Sequence, residues 1–187
     1  MRGNNLNQNI IAAIDFAAKK HQNGFRKGSD IPYITHPLEV MTILIAERYP
    51  EEAIIAGLLH DVLEDTDCKP SEIEEAFGKN VLALVVFETD NKSLSWKMRK
   101  QATIDKLKKH GDSIANAVCF ADKLANLRSI FRDREQVGEK VWERFNALKD
   151  EVLWYYQSIH DAATEFEYTA MFKEFGRLLK IITEPQI

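Results

Sequence analysis

Apolar residues recur at intervals of three and four along most of this 187-residue chain, and only 8 glycines and 5 prolines interrupt them. No stretch alternates apolar and polar residues for long enough to read as a strand, so the periodicity predicts an all-α fold. Ile10, Ile14, Ala17 and Ala18 mark a first helix from about Leu6 to His21, after which "QNGFRKGSDIPY" supplies loop-forming residues. Pro37 suits the first position of a second helix reaching about Arg48, which puts His36 at a helix entrance. A third helix is expected from about Glu51 to Leu63. "SEIE" at 71–74 offers a capping box for a short helix ending near Gly78, followed by another over about 80–87.

A basic helix over about 95–109 is stopped by Gly111, and Asp112 or Ser113 can cap the next, whose interior reads "IANAVCFADKLANL". Two long helices close the chain: about 137–167, with a break near its end, and about 168–182. No repeat or low-complexity linker divides the chain, and its length suits one large domain, so residues 1–187 are expected to form a single unit. Trp142, Phe145, Leu148, Val152 and Tyr155 fall at helical spacing and are expected in the core or at a contact between copies, which keeps a homo-oligomer among the expectations.

A net charge of -4 argues against a nucleic-acid polymer or an anionic membrane as partner, while leaving room for a local basic patch that holds a phosphorylated small molecule. The amino terminus lacks a signal-peptide core, and no apolar run reaches the roughly 18 residues needed to span a bilayer. Cys68 and Cys119 have no paired spacing, so a cytoplasmic protein with reduced thiols is expected.

The chemistry concentrates in "LLHDVLEDT", residues 58–66, where an apolar run ends in His60, Asp61, Glu64 and Asp65. On a continuous helix His60 stacks with Glu64 and Asp61 with Asp65, four residues apart. Imidazole with carboxylate suits Mn²⁺, Fe²⁺ or Zn²⁺ and does not choose among them. Asp122 follows five mostly apolar residues in "AVCFADKLANL", and a buried carboxylate needs a cation, donors or a metal beside it. Taken singly each residue has a plainer reading. His36 could be a turn or cap residue, His60 and Asp61 a helix-end ion pair, and Arg26, Lys27 and the basic cluster at 97–100 solvated surface.

Read in order, "FRKGSDIPYITHP", "LLHDVLEDT" and "ADKLANLRSI" resemble the successive signatures of HD-domain alarmone hydrolases in the RelA/SpoT-homologue family, over about residues 11–132. The resemblance implies an HD-domain helical bundle that removes pyrophosphate from the ribose 3′ position of ppGpp or pppGpp using Mn²⁺. It implies His36, His60, Asp61 and Asp122 as metal ligands, and Glu64 and Asp65 as the pair that orients or activates the attacking water. It places Arg26, Lys27 and Asn126 at the nucleotide, with Lys92, Lys97, Arg99 and Lys123 as further cations near the phosphates. The chain ends without the synthetase and regulatory regions of the long bifunctional enzymes, and so resembles the single-domain small hydrolases. Beyond Arg132 the resemblance is loose, and it assigns no role to Arg144, Tyr155 or Tyr156. Two other readings are compatible with the same residues. One is an HD phosphohydrolase for another nucleotide, such as a deoxynucleoside monophosphate or the 2′-phosphate of NADPH; the other is a degenerate HD domain that only binds a nucleotide.

Overall fold

Helices joined by short connections make up a computed structural model of the chain, which describes residues 5–109, 111 and 113–184. The element order is α1 (Asn5–Lys20), α2 (Thr35–Ala46), α3 (Glu51–Leu59), α4 (Val62–Asp65), α5 (Pro70–Glu88), α6 (Trp96–Lys108), α7 (Ser113–Val137), α8 (Lys149–Ala162) and α9 (Ala170–Thr183), with 3₁₀ turns at Gly138–Arg144 and Thr164–Phe166. The fold is all-α. Among the described residues extended pairing is confined to a single bridge between Phe25 and Pro32. None of their helices is long and apolar enough to cross a membrane.

Three expectations need correction. The third helix stops at Leu59 and resumes at Val62, so His60 and Asp61 sit at a break and not inside a continuous helix. The capping glutamate before α5 is Glu72, which accepts the Lys69 N–H at 2.8 Å with Pro70 opening the helix, so the helix starts one residue before Ser71. The expected helix over 137–167 does break near its end, where α8 stops at Ala162, but it breaks near its start as well. Gly138 takes φ +62°, a conformation that ends α7 and that a side chain would strain, and the chain then runs through a 3₁₀ turn before α8. As a result Leu148 is exposed, while Val152 and Tyr155 do enter the core. Gly78, at φ +88°, kinks α5 where the sequence placed the end of one helix and the start of another. The Asp112 cap lies outside the described residues; α7 begins at Ser113.

Helix α7 is buried along Ala115–Asp122 and again at Leu124, Ala125 and Leu127, which makes it central. Ala117, Ala121 and Ala125 are small enough to let neighbours approach, and α2, α3, α5, α8 and α9 all pack on it. Phe120 stacks on Phe166 and Phe175 at 5.4 and 4.9 Å, which ties the carboxyl-terminal helices to the same core. Arg134, buried near the end of α7, donates to the carbonyls of Ile181 (2.9 Å) and Glu184 (2.7 Å), which satisfies acceptors that the end of α9 would otherwise leave open.

The α2–α3 crossing is the closest approach that bears on the site. A Cβ on Gly57 would lie 2.6 Å from Leu44 Cδ1 and 3.1 Å from Val40 Cγ1. Gly57→Ala is therefore expected to overpack this crossing and destabilise the protein by ~1–3 kcal/mol, read as a lower denaturant midpoint in urea at unchanged slope.

Candidate active site

The hairpin closed by the Phe25–Pro32 bridge delivers the chain into α2, and His36 lies in the first turn of that helix, 3% exposed. His60 follows α3 directly. Its Nδ1 faces the Gly57 carbonyl at 2.9 Å, so with Nδ1–H donating there the free Nε2 lone pair points the other way. Asp61 then has φ −93° and ψ −5°, the bridge region in which active-site residues are often found, and α4 follows from Val62. Asp122 comes from the middle of α7 and is 5% exposed among apolar neighbours.

These elements bring two imidazoles and two carboxylates together, although the group whose ligand atoms all lie within 4.8 Å of one another is His36, His60 and Asp122 and does not include Asp61. Asp122 Oδ1 lies 2.9 Å from His36 Nε2 and 3.6 Å from His60 Nε2. Asp61 Oδ2 mirrors it, 2.8 Å from His60 Nε2 and 3.6 Å from His36 Nε2. His36, His60 and Asp122 each offer a ligand atom within 4.8 Å of the others, a cluster able to hold a metal ion. The donor chemistry fits a divalent ion. His60 Nε2 is buried without a hydrogen-bond partner, and its lone pair faces carboxylate oxygens, an arrangement that is repulsive unless a positive charge lies between them. The Gly57 carbonyl on the other ring nitrogen is the kind of contact that fixes a ligating histidine's tautomer. Burial opposes ionisation of Asp61 and Asp122. Where no ion lies between them, imidazoles carrying a proton beside Asp61, and the Lys123 ammonium beside Asp122, outweigh it and hold both carboxyls below their usual range. Asn126 Nδ2 also donates to Asp122 Oδ1, at 2.6 Å.

Glu64 and Asp65 stand on the short helix just past the break. Glu64 is half-buried and its Oε2 accepts the Asp90 N–H at 3.1 Å. Burial pushes its carboxyl up, against the lowering effect of that N–H. Asp65 is exposed and pairs with Lys92 at 3.7 Å. Asp67 points away and pairs with Lys20 at 3.4 Å.

A cavity of about 420 Å³ opens beside His36. Arg26, Lys27 and Asn126 all line it, so the three residues expected at a nucleotide meet in one place. Arg26 donates to Asn126 Oδ1 at 3.0 Å, and Lys27 to Asn146 Oδ1 at 3.2 Å. Arg144 and Tyr156, which the sequence left without a role, also line the cavity. Tyr155 does not; its ring lies beneath Lys100, 5.0 Å away, and beside Trp96. Of the further cations, Lys123 pairs with Asp122 and Arg99 with Asp90, and Lys97 lies over the Trp154 ring on another face. Tyr33, Glu39, Ser129, Arg132 and Asp133 are lining residues that the sequence reading missed. A signal existed for two of them: Ser129 and Asp133 lie three and seven residues beyond Asn126, on the same face of α7.

The family described as HD domain matches residues 13–152. The chain belongs to the HD-domain family. Within it, the chain is similar to guanosine-3′,5′-bis(diphosphate) 3′-pyrophosphohydrolase MESH1 of Homo sapiens, 40% identical over 126 residues that cover 66% of this chain and 70% of that protein. Its structure is similar to lmo0812 from Listeria monocytogenes EGD-e, with TM-score 0.73 and 38% identity over 79% of this chain and 97% of the other. It is also similar to a solved metazoan orthologue of SpoT described as hydrolysing ppGpp and playing a role in starvation responses. There the TM-score is 0.79 and the identity 30%, over 93% of this chain and 95% of that one.

Proposed function

We propose that this protein hydrolyses the 3′-pyrophosphate of ppGpp or pppGpp to GDP or GTP and pyrophosphate, with Mn²⁺ held by His36, His60, Asp61 and Asp122. The observation that carries this reading is the meeting of two imidazoles and two carboxylates beside a cavity lined by Arg26, Lys27, Arg132 and Arg144. The activity named for MESH1 and for the metazoan SpoT orthologue supports the same substrate. A divalent ion, when bound, supplies Lewis acidity that polarises a phosphoryl oxygen and makes water easier to deprotonate.

The chain's own residues do the rest. Glu64 and Asp65 take the proton of the water that attacks phosphorus, as the ribose 3′ oxygen leaves and is itself protonated. Burial of Glu64 raises its proton affinity above that of a free carboxylate, which suits an acceptor working near neutral pH. Arg26 and Lys27 bind the nucleotide, the guanidinium by stacking or paired hydrogen bonds and the ammonium as a point charge. Arg144 and Tyr156 line the same cavity. The reading treats residues 1–187 as one HD domain, with a core of about 11–132 and the helices over about 137–182 packed back on it. It also places the protein in the cytoplasm, in keeping with the free thiols of Cys68 and Cys119.

Purified protein with Mn²⁺ is expected to convert ppGpp to GDP and pyrophosphate, and to prefer it in kcat/KM over NADPH and deoxynucleoside monophosphates. Chromatography of a nucleotide panel checks this. Release of single phosphates only, or binding of ppGpp and metal without turnover, would overturn the reading.

A further inference from the structure

We propose that Tyr33 is a positioning residue for Asp61, with the buried ring of His21 as the wall that holds it in place. The proposal rests on the reading of Asp61 as a metal ligand.

The Tyr33 hydroxyl donates to Asp61 Oδ2 at 2.6 Å, the same oxygen that faces the Nε2 atoms of His60 and His36. A carboxylate oxygen has two lone-pair directions. The phenol occupies one, which turns the other toward the imidazoles and the point where an ion would lie. Asp61 stands at the break between α3 and α4, outside either helix, so a side-chain partner such as this phenol is what fixes its orientation. Second-sphere donors of this kind orient metal-binding carboxylates.

Tyr33 is itself firmly held. Its backbone N–H donates to the Gly24 carbonyl at 2.8 Å, and a Cβ on Gly24 would lie 3.1 Å from Tyr33 Cβ, so the hairpin leaves no slack there. The His21 ring lies 4.8 Å from the Tyr33 ring at 35°. His21 is 6% exposed and its Nε2 has no hydrogen-bond partner, so the imidazole serves here as a packing surface.

Tyr33 also lines the cavity beside His36, so a role as a plain substrate wall is the competing account. Tyr33→Phe separates the two, because it keeps the ring and removes only the hydroxyl. Mn²⁺ affinity of the metal-free protein, measured by competition with a fluorescent chelator, is expected to weaken by ~10–100-fold. The loss of kcat at low Mn²⁺ is expected to be recovered by excess Mn²⁺, with the nucleotide KM at saturating metal unchanged. Unchanged Mn²⁺ affinity with a raised KM would overturn the proposal in favour of the substrate wall. His21→Ala, which leaves the hydroxyl in place but frees the ring, is expected to weaken Mn²⁺ several-fold. Should Tyr33→Phe not fold, wild-type Mn²⁺ affinity in His21→Ala would overturn the proposal. Asp61→Ala in the same titration keeps the two readings apart. If it binds Mn²⁺ like wild type, the ligand assignment fails; if it loses Mn²⁺ while Tyr33→Phe does not, only the positioning role fails.

Discussion

His60→Ala is expected to lower divalent-metal affinity by on the order of 10²-fold or more and to take ppGpp hydrolysis with it. The ring contributes more than one donor atom. Its Nδ1 is bound to the Gly57 carbonyl and its Nε2 faces oxygens of both Asp61 and Asp122. Removing it deletes a ligand and leaves two carboxylates close to each other with one fewer positive or proton-bearing partner between them. Equilibrium dialysis against Mn²⁺ checks the first half of the prediction and a pyrophosphate-release assay the second. Wild-type metal content in the purified variant would remove His60 from the ligand set.

Glu64→Gln is expected to keep the metal and lose turnover. The amide retains an oxygen for the Asp90 N–H, so the 3.1 Å contact that fixes the side chain survives, while the capacity to take a proton does not. Loss of a general base costs kcat ~10²–10⁴-fold. Nucleotide KM and Mn²⁺ affinity are expected to remain within about twofold of wild type, because the group acts only as the proton moves. If Glu64→Gln and His60→Ala lose metal equally, the division between ligand and base collapses. If Glu64→Gln retains full kcat, Asp65 is the acceptor.

Much of this site is legible in the sequence because its residues are costly where they stand. His60 and Asp61 interrupt "LLHDV", and Asp122 interrupts "CFADKL", so each announces a compensating partner before any fold is known. The residues brought together at the ion come from α2, from the α3–α4 break and from α7, and no local spacing relates those three places; the order of the motifs does. The break at His60 and Asp61 is not legible. No glycine or proline stands at it, and the contact that goes with it, the His60 ring on the Gly57 carbonyl three residues back, leaves no mark in the pattern of residue types. The break after Val137 did carry a local signal in Gly138, but the apolar residues at helical spacing beyond it read as one continuous helix. Arg132, Arg144 and Tyr156 are hidden for another reason. Charged and phenolic side chains are ordinary on a helix surface, and only the return of the chain across α7 turns them into a cavity wall.

The absent side chain at Gly57 has a meaning beyond packing. His36, Val40 and Leu44 form one stripe on α2, and the last two are the atoms a substituent on Gly57 would strike. His60 lies three residues past Gly57, just beyond the end of α3, so the same crossing stands between the two stretches that carry the imidazoles. A glycine hydrogen thereby lets the helix that carries His36 and the helix that leads to His60 pack as closely as they do.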